Sequence, residues 1–286
     1  MTVIWELDYY SRPVLDENQK KLWEVLICET PTDIDRRPDS LFRFSKFCTS
    51  SEVNSVWLRT AIEEAIAQAP KAPDRVRFFR RQMNNMITKA VEDAGLTVSP
   101  SRRMLALHQW IQDRMAMVYP EMPNYQESAN PSVAMGDSIP QPLPDALMGQ
   151  QWAFVTLEAA AFADMPEWSI DFKEAFPLEM TGISPETKVP GLVIFSPRAL
   201  PLAAWMSGLD LAFLDVVASP PKLVLETGAN DAWTLATLGT PALQAEAQRF
   251  QEAKRAANNV HFVAVQDNPE SESFAGFWLL QELALG

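Results

Sequence analysis

A proline-rich segment in the middle of the sequence most constrains how this chain can fold. Residues 120–150 contain six prolines, interspersed with Asn, Ser, Asp and Gln. Proline fixes φ and removes a backbone hydrogen-bond donor, so such a segment does not continue a helix or an interior strand. We therefore expect a linker at 120–150 that separates an N-terminal domain, residues 1–119, from a C-terminal domain, residues 151–286.

Both sides of this linker show strand patterns that precede helical patterns. On the N-terminal side, three segments rich in branched and aromatic residues precede apolar positions at helical spacing in Val56–Ala69. On the C-terminal side, short apolar strands separated by SPPK and GAND precede a helix that Thr240 and Pro241 open. The expected fold class is α+β, with two mixed domains in which antiparallel strands are followed by helices. The N-terminal order of hairpin, third strand, helix, strand and helix also opens ribonuclease H-like folds, so we expect a domain of that kind.

Charge is distributed unevenly along the chain. The net charge of −13 argues against a surface that attracts nucleic acid or anionic lipid over its whole area. Residues 121–286 hold 21 acidic and 7 basic residues, whereas residues 1–120 are close to neutral at +1. Residues 71–103, here named the basic segment, hold 8 basic and 3 acidic residues. The negative net charge is therefore compatible with one basic surface.

The sequence lacks the common enzyme templates. No glycine-rich nucleotide-binding loop and no G-x-S-x-G elbow is present, and Cys28 and Cys48 have no C-x-x-C spacing. His108 and His261 are the two histidines, and we interpret them as a helix-face and a strand-end residue. We expect no catalytic residues, no metal and no cofactor. The chain also shows no apolar run long enough to span a bilayer and no targeting peptide, so we expect no membrane span.

Paired carboxylates of a metal-dependent nuclease are the enzymatic alternative. Asp8 would lie on the first strand and Glu63 or Glu64 on the first helix, where ribonuclease H-like folds hold metal-binding acids. The third acid is missing, because RVRFFRRQ at residues 75–82 places arginines at the end of the fourth strand. Arginine would repel Mg²⁺, which argues against nuclease activity. We expect Asp8 and Glu63 to be surface or capping residues.

The basic segment supplies candidate RNA contacts. Arg80 and Arg81 fall near the predicted start of a helix, where the macrodipole is positive, so an anion such as a phosphate would explain the cluster. Asn84 lies one turn further on and can donate to phosphate or base edges. The alternative is that these cations pair with nearby acids. The candidate residues in this part of the chain are Arg75, Arg77, Arg80, Arg81, Asn84, Lys89, Arg102 and Arg103.

A second candidate contact lies in the C-terminal half. Seven of the nine tryptophans fall in apolar strand or helix patterns and are expected in the cores. Trp205 differs, because it stands in a short irregular segment near Arg198. An exposed aromatic ring beside an arginine is what base stacking on single-stranded RNA requires. An anchor between the two domains is the alternative role for Trp205.

Six strings, in chain order, resemble the Tab/Atab family of RNA-binding translation factors, which occurs in chloroplasts and has cyanobacterial relatives. The strings run nearly end to end. They are WELDYYSRPVLDENQKKLWEVLICE at 5–29, RVRFFRRQMNNMITKA at 75–90, PSRRMLALHQWI at 100–111, QWAFVTL at 151–157, PGLVIFSPRALPLAAWMSGL at 190–209 and HFVAVQDNPESESFAGFWLLQEL at 261–283.

The resemblance implies a non-catalytic function in photosystem biogenesis. The expected activity is to promote translation of photosystem I reaction-centre subunits through A/U-rich, single-stranded leader RNA. Expected partners besides RNA are the ribosome and photosystem assembly proteins. The expected location is the cyanobacterial cytoplasm, with association to thylakoids. The alternative is an assembly or scaffold factor that binds polypeptide through its acidic C-terminal domain.

Overall fold

The computed structural model describes residues 2–127, 139–144, 149 and 151–285. These residues fall into two compact units, both of which mix strands and helices, so the α+β fold class is confirmed. The linker and domain boundaries stay a prediction, because part of 120–150 lies outside the described residues. The first unit comprises Met1–Thr30, Asp39–Ala134 and Leu283–Gly286, and the second comprises Pro31–Pro38 and Met135–Glu282.

The first unit is built on a five-stranded sheet with helices. Its elements are β1 Ile4–Leu15, β2 Lys21–Glu29, β3 Arg43–Cys48, α1 Ser55–Gln68, β4 Arg75–Phe78, α2 Asn84–Asp93, β5 Thr97–Pro100 and α3 Leu105–Asp113. The order of strands in the sheet is β3-β2-β1-β4-β5. Strands β1 to β3 pair antiparallel, whereas β4 and β5 run parallel to β1. This order is compatible with a ribonuclease H-like fold, which stays a prediction.

Alternation along β1 divides the sheet into an apolar and a charged face. Trp5, Leu7 and Tyr9 pack in a core with buried residues of α1 and α2. Successive strand residues point to opposite faces, so Glu6 and Asp8 point away from that core. Helix α3 covers this second face, where it contacts β1 and β2. The covered face therefore buries charged side chains.

Three local predictions of the sequence need correction. Pro13 and the Asp-Glu-Asn cluster at 16–18 predict a turn region after the first strand segment, yet β1 continues through Pro13, because a register shift between Ser11 and Leu15 accommodates a residue without N–H. Helix α2 begins at Asn84 instead of Arg80, after a short 3₁₀ turn. The sequence offers Ser101 as the N-cap of the next helix, but α3 begins at Leu105, and the hydroxyl of Ser101 accepts the Arg103 N–H.

The described residues of the second unit form two sheets and further helices. The elements are β6 Gln141–Pro142, β7 Gln151–Glu158, β8 Ile170–Glu174, β9 Lys188–Phe195, α4 Ala199–Ser207, β10 Leu211–Ala218, β11 Pro221–Thr227, β12 Asp231–Thr237, α5 Pro241–Ala256, β13 Val260–Gln266 and β14 Phe274–Gln281. The strand orders of the two sheets are β7-β9-β13-β14-β8 and β10-β11-β12-β6. Thr240 caps α5 as expected, since its hydroxyl accepts the Leu243 N–H. Strand β8 lies in a stretch of sequence without clear periodicity, which predicts no element.

One apolar core joins the two sheets and the two helices of the second unit. It includes Leu192 of β9, Val263 of β13 and Leu225 of β11, all of which are fully buried. His261 is buried on β13, where Nε2 accepts the Leu214 N–H at 2.9 Å. None of the described helices is both long and apolar enough to cross a membrane.

Candidate nucleic-acid interface

The solvent-facing candidate residues of the basic segment lie on α2 or just before it. Arg81, Asn84 and Lys89 are exposed, as is Asn85. Lys89 pairs with Asp93 at 3.0 Å, one helical turn further on, and both side chains remain largely exposed. Such a pair is worth about 0–1 kcal/mol, so a phosphate can compete for the ammonium group.

The N-terminus of α2 lacks a side-chain cap. Its N-cap residue is Met83, which offers no hydrogen-bond acceptor in its side chain. The first amide groups of a helix generally lack an intrahelical partner and carry a partial positive charge. In α2 the Asn84 N–H is bonded to the Arg81 carbonyl of the preceding 3₁₀ turn, so the amide groups that follow it supply this charge. Arg81 and Asn84 therefore add a cation and an amide to an end of the helix that already favours an anion.

Arg80, by contrast, is an interior residue. Its side chain is 1% exposed, with Nε 2.7 Å from Asp8 Oδ1 and Nη2 3.3 Å from Asp8 Oδ2. Its guanidinium also lies 4.1 Å from the ring centroid of Tyr10. Burial alone would raise the pKa of Asp8, but Arg80 and Arg12 outweigh burial and hold that pKa below its ordinary value. Arg80 is thus part of a buried ion pair that joins β1 to the end of β4.

Further charged groups extend this pair into a network. Arg12 donates to Asp8 Oδ2 at 2.9 Å and to Glu24 Oε2 at 3.2 Å. Glu24 also accepts from Tyr119 Oη at 2.5 Å and forms an ion pair with Arg114. Burial raises the pKa of Glu24 despite these cations. We name Asp8, Arg12, Glu24, Arg80 and Arg114 the buried charge network.

Glu6 forms a second buried charged site on the same face of β1. Its Oε2 accepts the Leu107 N–H of α3 at 2.7 Å, so a strand carboxyl caps this helix. Burial raises the pKa of Glu6 to about 7, although the nearby cations Arg77 and Arg103 act in the opposite direction. Arg77 is 1% exposed and Arg103 is 7% exposed. These two candidate RNA contacts therefore face the interior of the first unit.

The expectation that Asp8 is a surface or capping residue is wrong. Its carboxylate is fully buried, because α3 covers the charged face of the sheet and two guanidiniums neutralise it. Glu63 is half-exposed on α1 and pairs with Arg59, in line with a surface role. Among the described residues, no group of three or more His, Cys, Asp or Glu side chains is arranged to hold a metal ion.

The remaining candidates in the basic segment are intermediate in exposure. Arg75 on β4 and Arg102 before α3 are both half-buried. Arg75 stands two residues before the buried Arg77, on the same face of β4. The candidate residues of the basic segment thus divide into an interior, an intermediate and a solvent-facing set. We name the solvent-facing Arg81, Asn84 and Lys89, together with the neighbouring Asn85, the α2 surface.

Trp205 is less exposed than the sequence predicts. It is half-buried on α4, and its ring makes an edge contact with Trp233 at a centroid distance of 5.0 Å. The ring packs against the core of the second unit, because α4 is apolar along the side that faces the sheet. Arg198 is exposed at the start of the same helix. The two residues are seven positions apart, a spacing of about two helical turns or roughly 10 Å.

Sequence reasoning missed the buried charge network. A signal was present, because Glu6, Asp8 and Arg12 alternate with Trp5 and Leu7 in a segment that already predicted a strand. Charged residues that share one face of a strand normally indicate that this face is exposed to solvent. Here α3 packs on that face, so the charged side chains lie in the interior, where they pair with one another.

Comparisons with known proteins bear on both halves of the chain. Residues 4–114 match the family model "RNA-binding protein Tab2/Atab2 N terminal", and residues 130–281 match "RNA-binding protein Tab2/Atab2, C-terminal domain". The chain belongs to the Tab2/Atab2 family of RNA-binding proteins. The resemblance predicted from the six strings is therefore confirmed.

Two plant relatives of this Tab2/Atab2 chain align along nearly its whole length. "Protein TAB2 homolog, chloroplastic" of Zea mays is 37% identical over 287 residues, which cover 98% of this chain and 71% of the relative. The protein of the same name in Arabidopsis thaliana is 35% identical over 289 residues, covering 98% of this chain and 74% of the relative. No solved structure matches the chain.

Proposed function

We propose that this chain binds A/U-rich, single-stranded leader RNA and thereby promotes translation of photosystem I reaction-centre subunits, without catalysing a reaction. The proposal places it in the cyanobacterial cytoplasm, with association to thylakoids, and takes the ribosome and photosystem assembly proteins as further partners. The family description as an RNA-binding protein supports the RNA partner. The finer assignments extend the resemblance to the Tab/Atab translation factors.

The observation that carries the RNA site is the exposure of the α2 surface on a helix whose N-terminus has no side-chain cap. Arg81 and Lys89 supply charge for phosphates, and Asn84 supplies an amide that both donates and accepts hydrogen bonds. Arg75 and Arg102 extend the proposed contact as far as their half-buried side chains reach. Arg77, Arg80 and Arg103 are proposed to act indirectly, by holding the strands and helices on which this surface stands.

Arg198 and Trp205 are proposed as a second contact, in the second unit. The exposed guanidinium of Arg198 suits a phosphate. The half-buried ring of Trp205 presents only part of its face, so its stacking contribution is expected to be below the 1–3 kcal/mol of a fully exposed platform. RNA affinity is therefore expected to depend more on the α2 surface than on Trp205.

Fluorescence anisotropy with two labelled RNAs tests this function. A 20-nucleotide A/U-rich single strand should bind at least tenfold more tightly than a G/C-rich duplex of equal length at the same salt concentration. A reporter that carries the A/U-rich leader should then be translated faster in a cell-free extract supplied with the protein. Equal affinity for strand and duplex would contradict the proposed RNA class. Tight binding without any effect on the reporter would contradict the role in translation.

A further inference from the structure

Strand β7 forms one edge of the five-stranded sheet of the second unit. It pairs with β9 on one side, and no other strand in the described part of the chain pairs with it. Its sequence, QWAFVTLE, contains neither lysine nor proline, and its single charged residue, Glu158, stands at the end. Natural edge strands are usually protected by such residues or by bulges, so β7 is open to pairing with another chain.

The ladder between β7 and β9 shows which backbone groups face outwards. The Ala159 N–H, directly after β7, bonds to the Thr187 carbonyl at 2.8 Å. In an antiparallel pair, hydrogen-bonded positions alternate with positions that point away. Trp152, Phe154 and Thr156 therefore direct their N–H and C=O groups to the open edge. Pro190, which has no N–H, lies opposite Thr156. This agrees with the alternation, because the pair Thr156–Pro190 is one that shares no hydrogen bond between β7 and β9.

Helix α5 forms the other wall of a groove along this edge. The groove has a volume of about 550 Å³. Glu246, Arg249, Phe250 and Ala253 line it, at the spacing that belongs to one helix face. Phe250 stacks on Phe154 with a centroid distance of 5.0 Å, so the floor between strand and helix is aromatic.

An edge strand beside a helix is the arrangement in which an extended peptide adds to a sheet. We infer that the groove between β7 and α5 is a docking site for an extended, basic peptide segment of another protein, an interaction beyond the RNA binding proposed above. The outward N–H and C=O groups of β7 repeat at every second residue, or roughly every 7 Å, and the backbone of an extended peptide repeats at the same distance. The net charge of −14 over residues 121–286 favours basic side chains on that segment, while Glu246 and Arg249, the two charged residues that line the groove, balance each other.

The same features disfavour the other two occupants. An RNA backbone offers phosphate oxygens and ribose hydroxyls, which do not alternate donors and acceptors as β7 does, and the negative net charge of this half repels its phosphates. A second copy of the chain would bring two strongly acidic halves together. Both occupants are outcomes that the experiment distinguishes.

Binding of a labelled decapeptide of alternating lysine and valine to the full chain tests the docking site. We expect the lysine peptide to bind the wild type saturably. A decapeptide of alternating glutamate and valine should bind the wild type at least tenfold more weakly than the lysine peptide. The lysine peptide should bind Thr156→Pro at least fivefold more weakly than it binds the wild type. Proline at 156 removes an outward N–H but no bond to β9. Thr156→Val is the matched control, because it changes the same side chain and keeps the N–H, so its affinity should equal that of the wild type.

Three results would overturn this inference. The first is wild-type affinity of Thr156→Pro for the lysine peptide, with circular dichroism showing that the variant is folded. The second is displacement of the peptide by ten-nucleotide poly(U), which would assign the groove to RNA. The third is a concentration-dependent dimer in sedimentation equilibrium that Thr156→Pro abolishes, because a second copy would then occupy the edge. None of these results affects the proposed RNA contact at the α2 surface.

Discussion

Replacing Asp8 by alanine tests whether the buried charge network stabilises the first unit. The substitution removes a fully buried carboxylate and leaves Arg80 without its anionic partner, whereas Arg12 keeps Glu24. Removing one member of a buried ion pair costs about 3–5 kcal/mol, because the remaining charge is desolvated without compensation. Total stabilities of domains are about 5–15 kcal/mol, so Asp8→Ala should remove a large share of the stability.

Hydrogen exchange followed by mass spectrometry measures this loss in the first unit alone. Peptides that cover β1 should lose about 3–5 kcal/mol of opening free energy in Asp8→Ala, while peptides from β13, in the core of the second unit, should be unchanged. Asp93→Ala is the control, because it breaks the exposed pair with Lys89 and should cost less than about 1 kcal/mol. A cost of Asp8→Ala no larger than that of Asp93→Ala would refute the reasoning.

Two further substitutions probe Glu6 and the second unit. Burial raises the pKa of Glu6 to about 7 from 4.5, so its contribution to stability is fully present below pH 4.5 and is lost as pH rises through 7, by about 3 kcal/mol. In urea titrations, the free energy of unfolding of Glu6→Gln should therefore decrease less between pH 5 and pH 8 than that of the wild type. An equal decrease in the two proteins would contradict this. In Gly191→Ala the new Cβ would lie 2.3 Å from the buried Phe262 ring, which should cost about 1–3 kcal/mol of stability and lower the melting temperature. In the control Gly239→Ala the new Cβ has nothing within 4 Å, so the melting temperature should not fall. Equal melting temperatures of the two variants would contradict the packing of β9 on β13.

The order of strands and helices could be predicted largely from local patterns. The α1 segment has helical spacing, and the cap of α5 is explicit in Thr240 and Pro241, because both signals depend on neighbours in sequence. Strand β8 was missed, since its five residues are held by parallel pairing with β14, about 100 positions away in the chain. Pairing of that kind leaves little trace in a short local pattern.

The candidate site could be predicted only as a region. Arg80 and Arg81 are adjacent and chemically identical, yet one is buried against Asp8 and the other is exposed. The difference arises from the end of β4 and the 3₁₀ turn before α2, which rotate consecutive side chains to opposite sides. Composition locates the basic segment, whereas the position of Asp8, 72 residues earlier, decides which arginine remains on the surface.

The salt dependence of RNA affinity in a charge-reversed α2 surface tests the central claim most directly. In Arg81→Glu/Lys89→Glu, loss of two phosphate contacts should weaken binding of the A/U-rich strand at least tenfold and reduce the slope of log K against log salt by about 1.4. The control Lys20→Glu/Lys21→Glu makes the same charge change at exposed positions of the first unit and should keep the wild-type slope. A wild-type slope in the α2 variant, or the same reduction in both variants, would contradict an RNA site at the α2 surface.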